Sequence, residues 1–337
     1  MLFDLTEEQV EFRDAVTSLM RRRVSAAAVR AAWADPEQLS ADLWSELAPL
    51  GVLGLVVPEE LGGAGASHVE QVVALEQLGY ASAPGPVGES AVVAAVLVRH
   101  AAAAIQRQWL PRLAKGTVTL SVSLDDSGLV VHGRRCDAVL VARDETLHLV
   151  PGDRTVWADA PSQDPTRCLA RGRFDLDEST LLTGEPEALQ YARSAAYAGG
   201  AAQLVGCAQA LLDMAVTYAM QREQFGQLIG SFQAIKHKLA DAAVAIEAAR
   251  SLSWAAGYAL SHRLDEAPSV CRAAKAAASS AGSLANTTAL QVHGGIGFTW
   301  EHDLHMWLKR SVALELSHGS PSEHREALGA ALVDIRR

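Results

Sequence analysis

Along the first 116 residues, apolar positions recur at helical spacing, and the polar residues that punctuate them are helix signals. Thr6 and Gln9 stand in capping-box spacing ahead of Val10, Val16, Leu19 and Met20, which predicts a helix opening after Thr6. A second helix is expected from about Ser40 to a stop at Gly51. Ser67 and Glu70 make another capping box, followed by Val69, Val72, Val73, Leu75 and Leu78 on one broad face, with Gly79 as the stop. The segment 89–114 is helical again. Within it, "SAVVAAVLV" at 90–98 is too short to cross a bilayer and reads as a buried helix.

The pattern changes between Gly116 and about Asp177. "TVTLSVSL", "AVLVA", "TLHLV" and "TVWA" are short runs rich in β-branched residues, separated by "DDSG", "RDE" and "PGDR" turns. From Glu185 onward, Ala- and Leu-rich helical periodicity returns, broken near "REQFGQLIGS", "HRLDEAPS", "HGGIGFTWEHD" and "SHGSPS". Four long helices packed as a bundle are expected there. The chain is therefore mainly α with a small β module: an N-terminal helical domain at 1–116, a short middle β domain at 117–177 and a four-helix bundle at 178–337.

Charge narrows the partners. Asp and Glu outnumber Lys and Arg 39 to 29, a formal charge of −10, which argues against a nucleic-acid binder. Cys136, Cys168, Cys207 and Cys271 stand far apart with no C-x-x-C pair, so neither zinc nor a disulfide framework is suggested, and a reducing cytoplasm is expected. The opening "MLFDLTEEQVEF" carries acids where an export signal carries a basic region and an apolar run.

The densest chemistry lies in "LELSHGSPSEHR" at 314–325. His318, Glu323 and His324, with His302 and His305 upstream, suggest a metal, but their spacing matches neither H-E-x-x-H nor H-x-x-E-H, and ordinary polar roles near helix ends are the better reading. A hydrolase is disfavoured because no G-x-S-x-G elbow accompanies "HGG" at 293–295. In "QREQFGQLIGSFQAIKHKLADA" an arginine precedes a Gly-punctuated turn and a helix with Phe232, Ile235 and Leu239 inward. Such an arginine can cradle a pyrophosphate through its forked donors; a solvated residue at a helix end is the plainer alternative.

Taken together, "VPEELGGAG", "LPRLAKGT", "REQFGQLIGSFQAIKHKLAD" and "QVHGGIGFTWEHDLHMWLKR" resemble the acyl-CoA dehydrogenase family, in the family's own order and over nearly the whole chain. The resemblance implies FAD, a carboxylate base that removes the α-proton of an acyl-CoA, and hydride transfer to the flavin. It implies that Arg222, Gln224, Phe225, Gln291, Gly294 and Gly295 hold the pyrophosphate and adenosine end of an FAD belonging to a neighbouring subunit. The family's glutamate in a Y-E-G-T-like turn aligns with His318, and the alternative glutamate position of some relatives falls near Ala196, with Glu187 the nearest acid upstream.

Further departures follow. The family's arginine on the early bundle helix has only Arg193 nearby, with Tyr197 at the aligned place. The T-E-P and G-S-D loops and the tryptophan segment over the flavin have no counterpart between 117 and 176, "SLDDSGL" being the nearest remnant. The chain is similar to the base-lacking subunit of heteromeric α2β2 dehydrogenases that shorten sterol side chains in actinobacteria. That implies a homologous catalytic subunit as partner, an acyl-CoA substrate with a steroid side chain as candidate acyl group, and electron-transfer flavoprotein as acceptor. Two alternatives stay open: a self-sufficient flavoenzyme using His318, and a non-catalytic helical scaffold for an acyl chain or partner protein.

Overall fold

The capping boxes form as the spacing predicts. In the computed structural model, which describes residues 4–334, helix α1 (Glu7–Arg23) opens with Thr6 N donating to Gln9 Oε1 at 3.0 Å and Gln9 N donating to Thr6 Oγ1 at 3.3 Å. Residues 1–3 of the stretch read for an export signal lie outside the described residues. Helix α2 (Ala26–Ala34) is capped by Ser25, and α3 (Pro36–Leu47) starts at a proline. The single helix expected over 40–51 thus begins earlier and is preceded by another. Proline fits a first helical turn and not a helix interior, which sets the break at Asp35.

Helix α4 (His68–Tyr80) repeats the capping device with Ser67 and Glu70, and Gln9 Nε2 donates to Glu70 Oε1 at 2.7 Å, tying α1 to α4. Gly79 lies in the last turn of this helix, which ends at Tyr80. It is a crossing point: a Cβ there would lie 2.1 Å from the carbonyl oxygen of Gln203 on a neighbouring helix. The region 89–114 holds two helices, α5 (Val87–His100) and α6 (Ala103–Ala114). Gln106 Nε2 reaches the carbonyls of Leu97, Val98 and Ala101 at 3.0–3.1 Å, satisfying groups that the break frees.

The β module contains β1 (Leu120–Ser123), β2 (Leu129–Val130), β3 (Ala138–Arg143), β4 (Thr146–Pro151), β5 (Thr155–Asp159), β6 (Ala170–Phe174) and β7 (Leu181–Thr183). One sheet runs β1-β3-β4-β7, with β1 and β3 parallel; the other runs β2-β6-β5. Val139, Val141 and Val150 turn inward between the sheets. Ser90 Oγ donates to Leu120 O, fastening the module to α5.

The C-terminal helices are α7 (Pro186–Ala219), a hairpin of β8 (Glu223–Gln224) and β9 (Gln227–Leu228), then α8 (Gln233–Ser261), α9 (Ala267–His293), α10 (Leu304–Leu316) and α11 (Pro321–Asp334). Three are long, α10 is short, and α11 folds back against α9. Gly206 on α7 meets α4 so closely that a Cβ would stand 1.9 Å from Glu76 O. Among the described residues no helix is long and apolar enough to cross a membrane.

Candidate functional site

Helix α10 ends at Leu316, and the chain turns through His318 (φ 60°) and Gly319 (φ 101°) before α11. Ser320 and Glu323 cap α11 reciprocally, with Ser320 N donating to Glu323 Oε2 at 2.6 Å and Glu323 N to Ser320 Oγ at 3.3 Å. Glu323, counted as a possible metal ligand from the sequence, is thereby committed to the helix start, and its pKa is lowered by those bonds. The rings of His302 and His305 are likewise engaged: Leu304 N donates to His302 Nδ1 at 3.1 Å, and His305 Nδ1 is 2.7 Å from His302 O.

The turn closes a cavity of about 290 Å³ lined by Arg193, Ala196, Tyr197, Arg272, His318 and His324, among others. The two places where a catalytic carboxylate was sought therefore converge on one space, and they bring a methyl group and an imidazole. Glu187 lies nine residues before Ala196 on α7, which at helical rise is roughly 13 Å along the axis. Burial pushes His318 down to about 4, helped by the charges of Lys275 and Arg167. His324, also held at about 4, is buried with its ring edge-on to Tyr197 at 4.6 Å.

Two neighbouring cavities share His318. One, of about 330 Å³, opens toward the β module between Val122, Leu129, Arg167 and Leu316. The other runs inward between α5 and α7 and is only about 10 Å³, room for about one water. Gln203 fills it from α7, its Nε2 lying where a Cβ on Gly88 would be 2.4 Å away. Arg167 and Glu89, both buried, pair at 3.3 Å in its wall. Behind them, buried Arg310 is ion-paired with Asp164 and donates to Ala83 O at 2.8 Å and Thr166 Oγ1 at 2.6 Å.

Sequence reading missed Lys275, the largest fully buried side chain, whose Nζ donates to Glu315 O at 2.9 Å and Ser279 Oγ at 3.3 Å. Burial lowers its pKa to about 8. The signal was present: Lys275 shares a helix stripe with Cys271, Ala278 and Gly282, all buried. Arg167, Arg272 and Arg310 carried no such mark, because their settings come from elements distant in sequence.

The second constellation faces outward. Arg222 follows the end of α7, its N–H donating to Tyr218 O at 2.9 Å, and the next residues form the β8–β9 hairpin with Phe225 (φ 53°) and Gly226 (φ 74°) at its tip. Two successive left-handed residues are what a two-residue hairpin turn requires. Phe225 is 91% exposed. Tyr218 stacks on His293 at 4.5 Å, so the end of α7 lies beside the end of α9. Gln291 is on the last turn of α9, and Gly294 (φ 61°, ψ −140°) and Gly295 follow. Neither glycine would have a neighbour within 4 Å of an added Cβ. All six residues are exposed.

An N-terminal helical domain, a small β module and a C-terminal helical bundle thus follow one another along the chain. The sequence matches the family models for the acyl-CoA dehydrogenase N-terminal domain over residues 6–117 and C-terminal domain over residues 188–333. The chain belongs to the acyl-CoA dehydrogenase family, whose cofactor is FAD. It is 37% identical to the acyl-CoA dehydrogenase IpdE2 of Mycobacterium tuberculosis, over 93% of this chain and 92% of that protein. It resembles the ChsE4–ChsE5 complex from the same organism with a TM-score of 0.90 at 25% identity, covering 99% of each chain. A variant of the Tcur3481–Tcur3483 steroid dehydrogenase superposes with a TM-score of 0.89 at 27% identity, covering 98% of this chain and 99% of that one.

Proposed function

We propose that this chain is the base-lacking subunit of a heteromeric, FAD-dependent acyl-CoA dehydrogenase, acting on a CoA thioester with a steroid-derived acyl group. The observation that carries the reading is the convergence of Ala196 and His318 on one cavity, with no carboxylate at either place. FAD supplies the hydride acceptor, and the base must come from a homologous partner. The contribution of this chain is the outward surface: Arg222 offers a forked cation to a pyrophosphate, Gln224 and Gln291 offer amides, and Gly294 and Gly295 leave backbone open to close approach. The residues fit that group, because their donors point away from the chain's own core. Relatives solved as two-component complexes support a heteromer. Electron-transfer flavoprotein as acceptor and a cytoplasmic setting complete the reading.

A self-sufficient enzyme using His318 is the weaker reading. An imidazole held at about 4 is neutral at physiological pH yet a poor proton acceptor, far weaker than an ordinary histidine. The test is purification of the chain alone and together with a homologous catalytic subunit. The expected result is little flavin and no acyl-CoA oxidation alone, and both in the complex. Stoichiometric flavin and turnover in the isolated chain would refute it.

A further inference from the structure

Residues of α4, α5, α7 and α8 surround a separate cavity of about 220 Å³. Its wall carries Arg99, from the last turn of α5, and Arg263, a left-handed residue (φ 54°) just past the end of α8, and it holds no carboxylate. In a chain whose acids outnumber its bases 39 to 29, two arginines on an acid-free wall stand out. Neither forms a salt bridge among the described residues. The nearby acids are committed or outside the wall. Glu70 accepts from Ser67 N at 2.9 Å and from Gln9 Nε2 at 2.7 Å, Glu185 Oε2 lies 3.3 Å from His100 Nδ1, and Asp265 and Glu266 line no part of the cavity.

The other polar groups of the wall satisfy one another. His68 Nδ1 is 2.9 Å from Gln71 Oε1 and therefore carries the ring proton, so Nε2 accepts from the Tyr191 hydroxyl at 2.7 Å. Ser261 Oγ donates to Gly257 O at 2.8 Å and accepts from His68 N at 3.0 Å. The guanidinium of Arg99 lies over the Tyr191 ring, 4.6 Å from its centroid, which orients it and leaves most of its five N–H donors free. Burial raises the Tyr191 pKa, and Arg99 and then Arg263 oppose that rise, so both cations act on the same hydroxyl.

We propose that this cavity binds phosphate, free or as the terminal phosphomonoester of a larger molecule, between Arg99 and Arg263. A phosphate brings at least three acceptor oxygens and up to two negative charges, enough for two guanidinium forks arriving from separate elements. A carboxylate, with one charge and two oxygens, satisfies one fork and leaves the other idle. Val56, Ala95, Val98 and Leu260 line the remainder, which lowers the local dielectric and strengthens the charge pairing. The volume is below the range usual for a whole organic ligand, so the cavity takes a group rather than a molecule. It is distinct from both constellations described above. Arg193 follows Tyr191 by two residues, about 200° around α7, so the His318 cavity lies on the opposite side of that helix. Arg222 lies past the far end of α7, roughly 40 Å along its axis from Tyr191.

The experiment is calorimetric titration of the full chain at constant pH and ionic strength with inorganic phosphate, adenosine monophosphate and acetate, with phosphorus NMR line widths as a second readout. Phosphate should bind saturably at about millimolar concentration or below, and acetate at least about tenfold more weakly. Arg99→Gln and Arg263→Gln should each weaken phosphate about tenfold or more, and the double variant should lose this binding. Both side chains are exposed, so the variants should fold, and each retains Arg222, so the lost binding belongs to this cavity. Arg263→Lys should recover only part of the affinity, because an ammonium lacks the fork. Binding of adenosine monophosphate as well identifies a terminal phosphomonoester, and binding of inorganic phosphate alone identifies the free ion; either supports the site. Absence of saturable phosphate binding, acetate binding as tight as phosphate, or unchanged phosphate affinity in both glutamine variants would each overturn the assignment.

Discussion

Arg222 and His318 separate the two halves of the proposed division of labour. Arg222→Ala should leave folding and pairing intact, because its side chain is exposed. Loss of a charge-assisted bond to pyrophosphate is worth about 2–4 kcal/mol, roughly 30- to 1000-fold in FAD affinity of the assembled complex. Arg222→Lys should restore only part of this, since an ammonium lacks the fork. The measurement is flavin-to-protein absorbance and FAD titration of the complex, and an unchanged affinity would leave the arginine a solvated helix end. His318→Ala should change turnover of the complex little, whereas removing a true general base costs about a hundredfold or more. Steady-state kcat with flavin content checked distinguishes these outcomes.

Lys275 makes a residue-scale prediction about stability. Its folded pKa of about 8 lies below the unfolded value, so the unfolded chain binds the extra proton more readily across the interval up to about 10.5. Stability contributed by this group therefore rises with pH through that window, and at neutral pH the buried charge is a cost. Lys275→Met should stabilise the chain by about 1–2 kcal/mol at neutral pH, the loss of the bond to Glu315 O offsetting part of the gain. Urea unfolding at neutral and alkaline pH should show the advantage shrinking as pH rises.

At the scale of elements, the bundle depends on close approach rather than on large side chains. Helices α4 and α7 cross at Gly79 and Gly206, where backbones nearly touch. Gly206→Ala should destabilise by about 3 kcal/mol, because the obstructing atoms are backbone and cannot rotate away. A fall in denaturation midpoint without a change in slope is the expected signature. Alanine-rich α7 was read correctly as a helix from its composition and period. What could not be read was that Gly79, at the helix end, is also a backbone contact, since both uses of glycine look alike in a local window.

At the scale of the whole molecule, flavin content should belong to the assembly. The β8–β9 hairpin is exposed, with Phe225 projecting, and the first turns of α8 that follow it are largely exposed. Mixing this chain with its homologous partner should raise bound flavin above the sum of the separate chains. Analytical ultracentrifugation with detection at flavin wavelengths would check this, and flavin remaining on a homo-oligomer of this chain would count against it.

The sequence alone determined what depends on short-range chemistry. Capping boxes at Thr6 and Ser67, the β-branched runs of the middle module and the helical period of the bundle all act within a few residues, so each is legible in a window. The motif around Arg222 and that around Gln291 were also visible, each as a local string. Tertiary structure decided which distant residues share a space. The stack of Tyr218 on His293 joins the two motifs, and the turn after α10 carries His318 against Ala196, Arg193 and Arg272. Burial decided the rest: it lowers the pKa of Lys275 and keeps His318 and His324 neutral, because desolvation is set by every element packed around a group and by no neighbour in the sequence.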